Sequence, residues 1–410
     1  MTSRERVLKA INFQEPDRVP VDLGGTRMTG IAAHAYLELR RKLGISGGPP
    51  RIFDVYQMLA EVEEPVRQRV GCDVIGLERL EPVFGLRNER WKPWRHFDGA
   101  EFLVPGDFNP EPDGEGGLLI RWAGKPENAF CGHMPKDGFY FDPTGPTRPS
   151  AELSMPSISD YRESLPTITD EELEVLSARA RELHEGTEYA VMGAFLWGGM
   201  GSVGSFSDWM IILATEKQYA RDILETYTDN ALRNLKVYLQ AVGDHIEIVE
   251  ISGSDYGTQK GPQFSPALFA ELYAPCYKRL NDWVHQTTPL KTWYHCCGSI
   301  YKLIPIFIDM GVDILNPVQT SAADMEPDRL NREFGGRLVF WGGGVETQST
   351  LPFGTPEEAR EQVRERLRTF APGGGFVFTT IHNIQRGVPA ENLVAMYDTV
   401  LEHGRYPVRV

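Results

Sequence analysis

Two residue types that bind metals lie two positions apart in the stretch WYHCCGSIYKL, which begins at Trp293. If this stretch ends a β-strand, the side chains of His295 and Cys297 point to one side and Cys296 points to the other. An imidazole and a thiolate together suit a zinc ion. The spacing is equally compatible with two small buried cysteines and a histidine that bonds a backbone carbonyl, so both interpretations stay open.

A catalytic zinc site needs a third protein ligand from elsewhere in the chain. His382 follows the last apolar run, in FTTIHNIQ, and is the best-placed candidate. Three protein ligands leave one coordination position open, as catalytic zinc sites do. The predicted metal ligands are therefore His295, Cys297 and His382.

Other polar side chains also follow apolar runs, where strands are expected to end. They are Arg27, Glu78, Asp255, Tyr256, Gln259, Asn316, Gln319, Glu346 and Asn383. Arg27 stands among glycines, which suits an anionic ligand, but it could also pair with a surface carboxylate. Asp255 could cap its own loop instead, and Trp341 could be packing rather than a surface on which a flat substrate stacks.

Eight apolar runs predict the strands that position these residues. They span 20–25, 73–77, 189–194, 246–252, 291–295, 312–316, 338–343 and 376–381. Helical patterns lie between most of them, which indicates a parallel sheet covered by helices. Eight strands favour a (β/α)8 TIM barrel over an open doubly wound sheet, whose G-x-G-x-x-G turn is absent after the first run. In such a barrel the residues after each strand converge on one face.

The clearest helix begins at TPEEAREQVRERL. Thr355 is the predicted N-cap, Pro356 the first helical residue, and Glu358 completes a capping box. The predicted buried stripe consists of Ala359, Val363 and Leu367.

The segment from about Trp91 to Pro149 interrupts the α/β alternation. It is rich in proline, glycine, aspartate and aromatic residues and lacks helical periodicity. We interpret it as a β-rich insertion after the second strand, in a chain that otherwise forms one domain over residues 1–410.

Composition excludes several classes of partner. The net charge of −15 argues against nucleic-acid and anionic-membrane binding, and no run approaches the roughly 20 apolar residues of a membrane span. The five cysteines are irregularly spaced, and the first residues contain no signal-peptide core. We therefore expect a cytoplasmic protein with reduced thiols.

Four segments resemble the uroporphyrinogen decarboxylase superfamily over nearly the whole chain. They are SRERVLKAINFQEPDRVPVD, SGSDYGTQKGPQFSPALFAELYAPCYKRL, YHCCGSIYKLIPIFIDMGVDILNPVQ and GGFVFTTIHNIQRGVPAENLVAMYDTV. The resemblance implies a barrel with its pocket at the C-terminal ends of the strands.

Two functional classes of that superfamily differ at a few positions. The decarboxylases carry an R-Q-A-G-R segment and an Asp after the second strand, whereas this chain has only Arg27 as a cation there and Glu78 in place of the Asp. The corrinoid-linked methyltransferases bind zinc through H-x-C and a later G-C-G cysteine. This chain keeps H-x-C-G at His295 to Gly298, but His382 replaces the later cysteine.

The resemblance therefore implies a methyltransferase that moves a methyl group from a small methylated substrate to the cob(I)alamin of a separate corrinoid protein. The aromatic content favours a methoxylated aromatic donor, that is, O-demethylation. The implied catalytic residues, which orient the substrate or donate a proton, are Asp255, Tyr256, Glu78 and His382. The implied substrate-binding residues are Arg27, Gln259, Asn316, Trp341 and Glu346.

Two other functions remain open at this stage. One is a metal-independent decarboxylase of a small carboxylic acid or porphyrin-like substrate, with Arg27 anchoring a carboxylate. The other is a non-catalytic barrel that binds a tetrapyrrole or a corrinoid. A homodimer is compatible with each of them.

Overall fold

The computed structural model describes residues 1–124, 130–144, 153–194 and 200–409. Within them the strands are β1 Ile52–Asp54, β2 Leu59–Ala60, β3 Val74–Leu77, β4 Lys92–Arg95, β5 Glu101–Val104, β6 Glu111–Pro112, β7 Leu118–Ile120, β8 Gly132–Met134, β9 Asp142–Pro143, β10 Ala190–Ala194, β11 Ile248–Ser252, β12 Lys291–His295, β13 Ile314–Asn316, β14 Val339–Trp341 and β15 Phe376–Val377.

The α-helices in the same residues are α1 Ser3–Ile11, α2 Ala33–Lys42, α3 Glu64–Val70, α4 Ile158–Ser164, α5 Asp170–Gly186, α6 Phe206–Thr215, α7 Lys217–Val242, α8 Pro266–Leu268, α9 Ala274–Thr287, α10 Ile304–Asp309, α11 Pro327–Phe334, α12 Thr350–Phe353, α13 Pro356–Phe370 and α14 Ala390–His403. A π-helical turn, Phe269–Tyr273, joins α8 to α9, and 3-10 turns occupy Arg27–Thr29 and Gly243–His245.

The chain divides into two compact units. Unit 1 consists of Met1–Thr144 and Gly342–Val410, and unit 2 consists of Gly145–Trp341. The single domain over residues 1–410 stays a prediction.

Unit 2 contains a parallel sheet of five strands in chain order, β10 to β14. Met192 pairs with Ile248 at one side of β11, and Ile248 pairs with Lys291 at the other. The strands are almost entirely buried, including all five residues of β11 and four of the five in β12. Strands buried in this way are typical of a parallel sheet that is covered on both faces.

Unit 1 contains three neighbouring parallel segments. Val21 bridges to Cys72 on one side and to Phe378 on the other, so residues 20–22 lie between the start of β3 and the end of β15. The backbone N–H of Phe378 donates to Pro20, and that of Asp73 donates to Val21.

Unit 1 thus supplies three parallel segments, and unit 2 supplies five. The order of these segments and the helices along the chain is that of a mixed α/β fold of the (β/α)8 TIM-barrel class. The predicted strand 291–295 coincides with β12, whereas 20–25 is reduced to a bridge at Val21 and 376–381 to β15. The first segment is short because Pro20 has no N–H and Asp22 accepts from the backbone of Gly25 to form a turn.

The β-rich insertion follows β3, as predicted. Strands β4 and β5 form an antiparallel hairpin, and β6 to β9 form an antiparallel four-stranded sheet. Its predicted residues 125–129 and 145–149 lie outside the described residues.

Helix α13 confirms the predicted cap and buried stripe. The Thr355 hydroxyl accepts from the N–H of Glu358, and the Glu358 carboxylate accepts from that of Thr355. The predicted stripe is fully buried: Ala359, Val363 and Leu367. No helix in the described part of the chain is both long and apolar enough to cross a membrane.

Candidate functional site

His295 ends β12 and is held in one orientation by the neighbouring strand β13. Its Nδ1 lies 2.7 Å from the Asn316 Oδ1 atom, while the Asn316 Nδ2 atom donates to the carbonyl of Trp341 at 2.8 Å. Because that carbonyl can only accept, the amide oxygen must face His295, and Nδ1 must carry the hydrogen. The Nε2 atom of the neutral ring is therefore left with its lone pair.

Cys297 lies beside that lone pair. Its Sγ atom is 3.3 Å from His295 Nε2, a distance at which the thiol can donate to the ring. Burial raises the pKa of the Cys297 thiol strongly, and the nearby Asp255 carboxylate raises it further. The thiol is therefore neutral unless a cation compensates its charge.

Asp255 supports the same loop from the end of β11. Its Oδ1 atom accepts the backbone N–H of Cys297 at 2.7 Å and lies 3.5 Å from His295 Nε2. Half of its side chain is exposed, so the carboxylate borders both the His–Cys pair and solvent. The structure thus brings Asp255 to His295 and Cys297, whereas its predicted catalytic role stays a prediction.

Cys296 points away from the pair, as its position in the strand predicted. It is fully buried, and its sulfur accepts the backbone N–H of Tyr256 at 3.2 Å. Burial raises the pKa of the Cys296 thiol as well. The two adjacent cysteines therefore occupy different environments, and Cys296 anchors a loop rather than joining the pair.

The two loops that carry these residues touch through glycines. A Cβ atom on Gly298 would lie 2.5 Å from the backbone carbon of Gly257, and one on Gly257 would lie 2.4 Å from the Cys297 carbonyl oxygen. Gly298 also has φ +94°, a region that other residues rarely adopt. The backbone N–H of Gly298 donates to Gln319, which adds a tie from the loop after β13.

Tyr256 and Gln259 extend the loop after β11. The Tyr256 side chain is buried, and its hydroxyl lies 2.8 Å from that of Tyr277, which in turn contacts Ser252. Burial raises the pKa of Tyr256 well above its ordinary value, so its hydroxyl keeps its proton. Gln259 is exposed, and its backbone carbonyl accepts the backbone N–H of Ala323.

In unit 1, Arg27 pairs with a carboxylate that sequence reasoning missed. Its Nη2 atom lies 2.6 Å from the Oδ2 atom of Asp54, whose side chain is 1% exposed. The guanidinium also lies 5.8 Å from the ring centroid of Tyr56. Arg27 is therefore held at the start of its 3-10 turn by a buried acid, not by a surface carboxylate.

His382 lies in unit 1, just after the last parallel segment. Its Nδ1 atom is 2.9 Å from Asn383 Oδ1, and Asn383 also accepts from Gln385 and donates to Gln57. This polar chain orients the imidazole as Asn316 orients His295. The role of His382 as a third ligand or as an acid or base stays a prediction.

The remaining predicted residues lie at strand ends of their own units. Glu78 follows β3, is partly buried, and its carboxylate borders Gly76. Glu346 is buried, and its backbone N–H donates to Gln362. The Trp341 side chain is fully buried at the end of β14. Their substrate-binding or catalytic roles stay predictions.

The His295–Cys297 pair fits half of a zinc site. In the neutral ring Nε2 carries a lone pair and Nδ1 is hydrogen-bonded, and the Cys297 sulfur lies beside Nε2. A ring oriented in this way by a neighbouring amide is the usual arrangement of a histidine ligand.

The fold and this pair define a (β/α)8-class protein with a thiol–imidazole half-site at the end of a central strand. The family model for uroporphyrinogen decarboxylase (URO-D) matches residues 193–403, more than half of the chain. The chain therefore belongs to the uroporphyrinogen decarboxylase family.

Among solved structures, the chain is similar to a methyltransferase from Methanosarcina mazei. The two share 14% identity with a TM-score of 0.57, over 98% of this chain and 99% of that one. At this identity the likeness supports the fold. No curated protein matches the sequence.

Proposed function

We propose that this chain is a corrinoid-dependent methyltransferase. It would move a methyl group from a small methylated substrate, best a methoxylated aromatic, to the cob(I)alamin of a separate corrinoid protein. The observation that carries the proposal is the His295–Cys297 pair, with Nε2 and Sγ 3.3 Å apart and the ring fixed by Asn316. Membership of the URO-D family and the methyltransferase with a similar fold support it.

The proposed zinc ligands are His295, Cys297 and His382. Bound there, zinc would supply a Lewis acid that stabilises negative charge on the leaving oxygen of a methyl ether. Cys297 must lose its proton to bind, and the raised pKa of its thiol means that a cation is needed to make this favourable.

The proposed roles of the other residues follow from their surroundings. Asp255 is half exposed beside the pair, so it suits a residue that orients a substrate or holds a proton. Tyr256 keeps its proton and would act as a hydrogen-bond donor, and Glu78 is the further candidate acid. Arg27, Gln259, Asn316, Trp341 and Glu346 remain the proposed substrate-binding residues, with Asn316 acting at least through His295.

The test is a screen of methoxylated aromatics, methanol and methylamines with the purified protein and cob(I)alamin, followed by the absorbance of methylcobalamin. Zinc content is measured on the same samples. We expect turnover with at least one donor, and we expect Cys297→Ala to lower the zinc content by one equivalent and to abolish activity.

Cys296→Ala is the matched control, because it removes the adjacent thiol from the opposite side of the strand. It should keep zinc and activity once folding is confirmed by circular dichroism. No turnover with any donor class, with the corrinoid protein or free cob(I)alamin, would contradict the proposal.

The second candidate is a metal-independent decarboxylase of a small carboxylic acid or porphyrin-like substrate. It is favoured by Arg27, whose guanidinium is partly exposed although Asp54 pairs with it. Release of CO2 from a candidate acid by Cys297→Ala as fast as by the wild type, with loss in Arg27→Gln, would establish it instead.

A further inference from the structure

A second group of metal-ligating side chains lies within unit 1, away from the His295–Cys297 pair. His34 is the second residue of α2, while His96 and Asp98 lie in the turn between β4 and β5. One ligand atom from each of the three lies within 4.8 Å of the others. The group thus joins the β-rich insertion to a helix near the start of the chain.

His96 presents a lone pair to a carboxylate. Its Nε2 atom donates to the carbonyl of Gly138 at 2.8 Å, so in the neutral ring Nδ1 carries no hydrogen. Nδ1 lies 3.1 Å from Asp98 Oδ1. The backbone N–H of Asp98 also donates to Nδ1, at a long 3.4 Å, but the close approach of Nδ1 to the carboxylate oxygen still calls for a proton or a cation between them.

His34 presents its Nε2 atom to the other oxygen of the same carboxylate. The two atoms are 3.1 Å apart, but the geometry is not that of a hydrogen bond, and Nε2 is buried without any hydrogen-bond partner among the described residues. His34 is 9% exposed and His96 is 3% exposed. An unsatisfied buried nitrogen is costly, and a ligand would satisfy it.

The ionisation of the group suits a cation. Burial lowers the pKa of His34, which leaves its ring neutral, the form that binds metals. Partial burial opposes ionisation of Asp98, but the N–H of Ala100 and the two imidazoles still lower the pKa of its carboxyl. The group therefore offers two nitrogens and one carboxylate.

The surroundings are aromatic on one side and basic on another. The His34 ring packs edge-on against Phe102 and Phe139, and the His96 ring stacks on Phe139. Arg386 lies 3.8 Å from Asp98 Oδ2 and opposes a bound cation. Its side chain is 46% exposed, so water screens this repulsion.

We propose that His34, His96 and Asp98 bind a divalent zinc-class ion that fastens the β4–β5 hairpin to α2. Two nitrogens and one oxygen are ligands that Zn²⁺ accepts, with bonds of about 2.0–2.2 Å. Tetrahedral bonds of that length separate ligand atoms by roughly 3.4 Å. His34 Nε2 lies 3.1 Å from Asp98 Oδ2 and His96 Nδ1 lies 3.1 Å from Asp98 Oδ1, so either oxygen is close to this separation from one of the nitrogens. A water molecule would complete the coordination.

The test uses the full-length Cys297→Ala protein, so that zinc at the half-site of unit 2 does not obscure the result. After removal of metal by a chelator, the protein is titrated with Zn²⁺ against a chromophoric indicator, and melting is followed with and without Zn²⁺. We expect one equivalent to bind and the melting temperature to rise. Adding His96→Ala or Asp98→Asn should weaken binding by more than the roughly 10–100-fold loss typical of a residue that only orients a ligand.

His133→Ala is the matched control, because His133 pairs with Asp113 at 2.8 Å in the same insertion without touching the group. It should bind Zn²⁺ as the background protein does. Asp98→Asn keeps the shape of the turn, so its loss of binding would not reflect unfolding. Unchanged affinity in Asp98→Asn and His96→Ala, or no Zn²⁺ binding in the Cys297→Ala background, would mean an imidazolium–carboxylate pair only and would overturn the proposal.

Discussion

A single amide, that of Asn316, decides which nitrogen of His295 faces Cys297. The amide nitrogen donates to the Trp341 carbonyl, so the amide oxygen faces His295 Nδ1 and accepts its hydrogen. The chemistry of the pair therefore depends on a residue that reaches neither the thiol nor, in our proposal, the metal.

Replacing Asn316 should weaken zinc binding without abolishing the fold. In Asn316→Leu the ring loses its acceptor and can rotate or change tautomer, so we expect zinc affinity to fall about 10–100-fold in a competition titration. Asn281→Leu removes a similar buried bond, from Asn281 Nδ2 to the Met310 carbonyl at 2.9 Å, and serves as the control. Equal affinities in the two variants would contradict the role of Asn316.

Gly298 should tolerate no side chain. In Gly298→Ala the new Cβ would meet the Gly257 backbone at 2.5 Å in a left-handed conformation, and we expect a loss of unfolding free energy of more than about 2 kcal/mol by denaturant titration. Gly311→Ala has a similar φ of +86°, but its nearest neighbour is 3.4 Å away. It should cost only about 1 kcal/mol, so a larger loss there than in Gly298→Ala would refute the argument from close approach.

At the scale of elements, Asp313 lies just before β13, and its carboxylate contacts residues of both β12 and α9. Its carboxylate accepts from the N–H of Thr292 at 2.8 Å and lies 2.7 Å from His285 and 3.3 Å from Lys291. Burial would raise the pKa of Asp313, but these partners lower it below its ordinary value. The carboxylate thus helps to hold the strand that ends at His295.

Asp313→Asn should destabilise the protein in a pH-dependent way. Because the folded-state pKa is the lower one, the stabilisation is present above the unfolded-state pKa of about 3.9 and is lost as the pH falls through the folded-state value. We expect a cost of about 1–3 kcal/mol at pH 7 that shrinks below about pH 4, measured by denaturant titration across this range.

Asp282→Asn is the control for this experiment. Asp282 pairs with Lys278 one helical turn away on an exposed surface, at 2.7 Å. Such a pair contributes at most about 1 kcal/mol. A pH-independent cost of Asp313→Asn would contradict the assignment.

The elements that sequence predicted best are those fixed by local pattern. Thr355 and Glu358 form their capping box because both partners lie within one helical turn. The run at 291–295 contains Thr292, Trp293 and Tyr294, residue types that favour strands, and Gly298 follows it, so its bounds match β12. The first run is shorter than predicted because Pro20 lacks an N–H and Asp22 forms a turn with Gly25, which the apolar character of the run does not reveal.

The parts of the site that sequence could not predict are contacts between distant residues. Asp54, which pairs with Arg27, ends β1, a strand that the sequence analysis did not predict. His34 comes 62 positions before His96, and nothing in their local sequence links them, although both are histidines near aromatic residues. The short spacing of His295 and Cys297, by contrast, could be read directly.

For the whole molecule, the charge of −15 predicts behaviour towards polyanions. Fixed negative charge repels a phosphate backbone, so we expect no retention on heparin or DNA columns at about 0.15 M salt. Retention that fell with increasing salt would contradict this expectation and would indicate a local basic surface.

The division of the chain has a consequence for protein synthesis. Unit 1 is discontinuous, and residues 20–22 find their neighbour at Phe378 only after all of unit 2 has left the ribosome. The five strands of unit 2 are contiguous and can pair as soon as they emerge. A nascent chain could therefore pair the strands of unit 2 before residues 20–22 gain all of their neighbours. Val21 would lack its Phe378 neighbour until the end of the chain is translated.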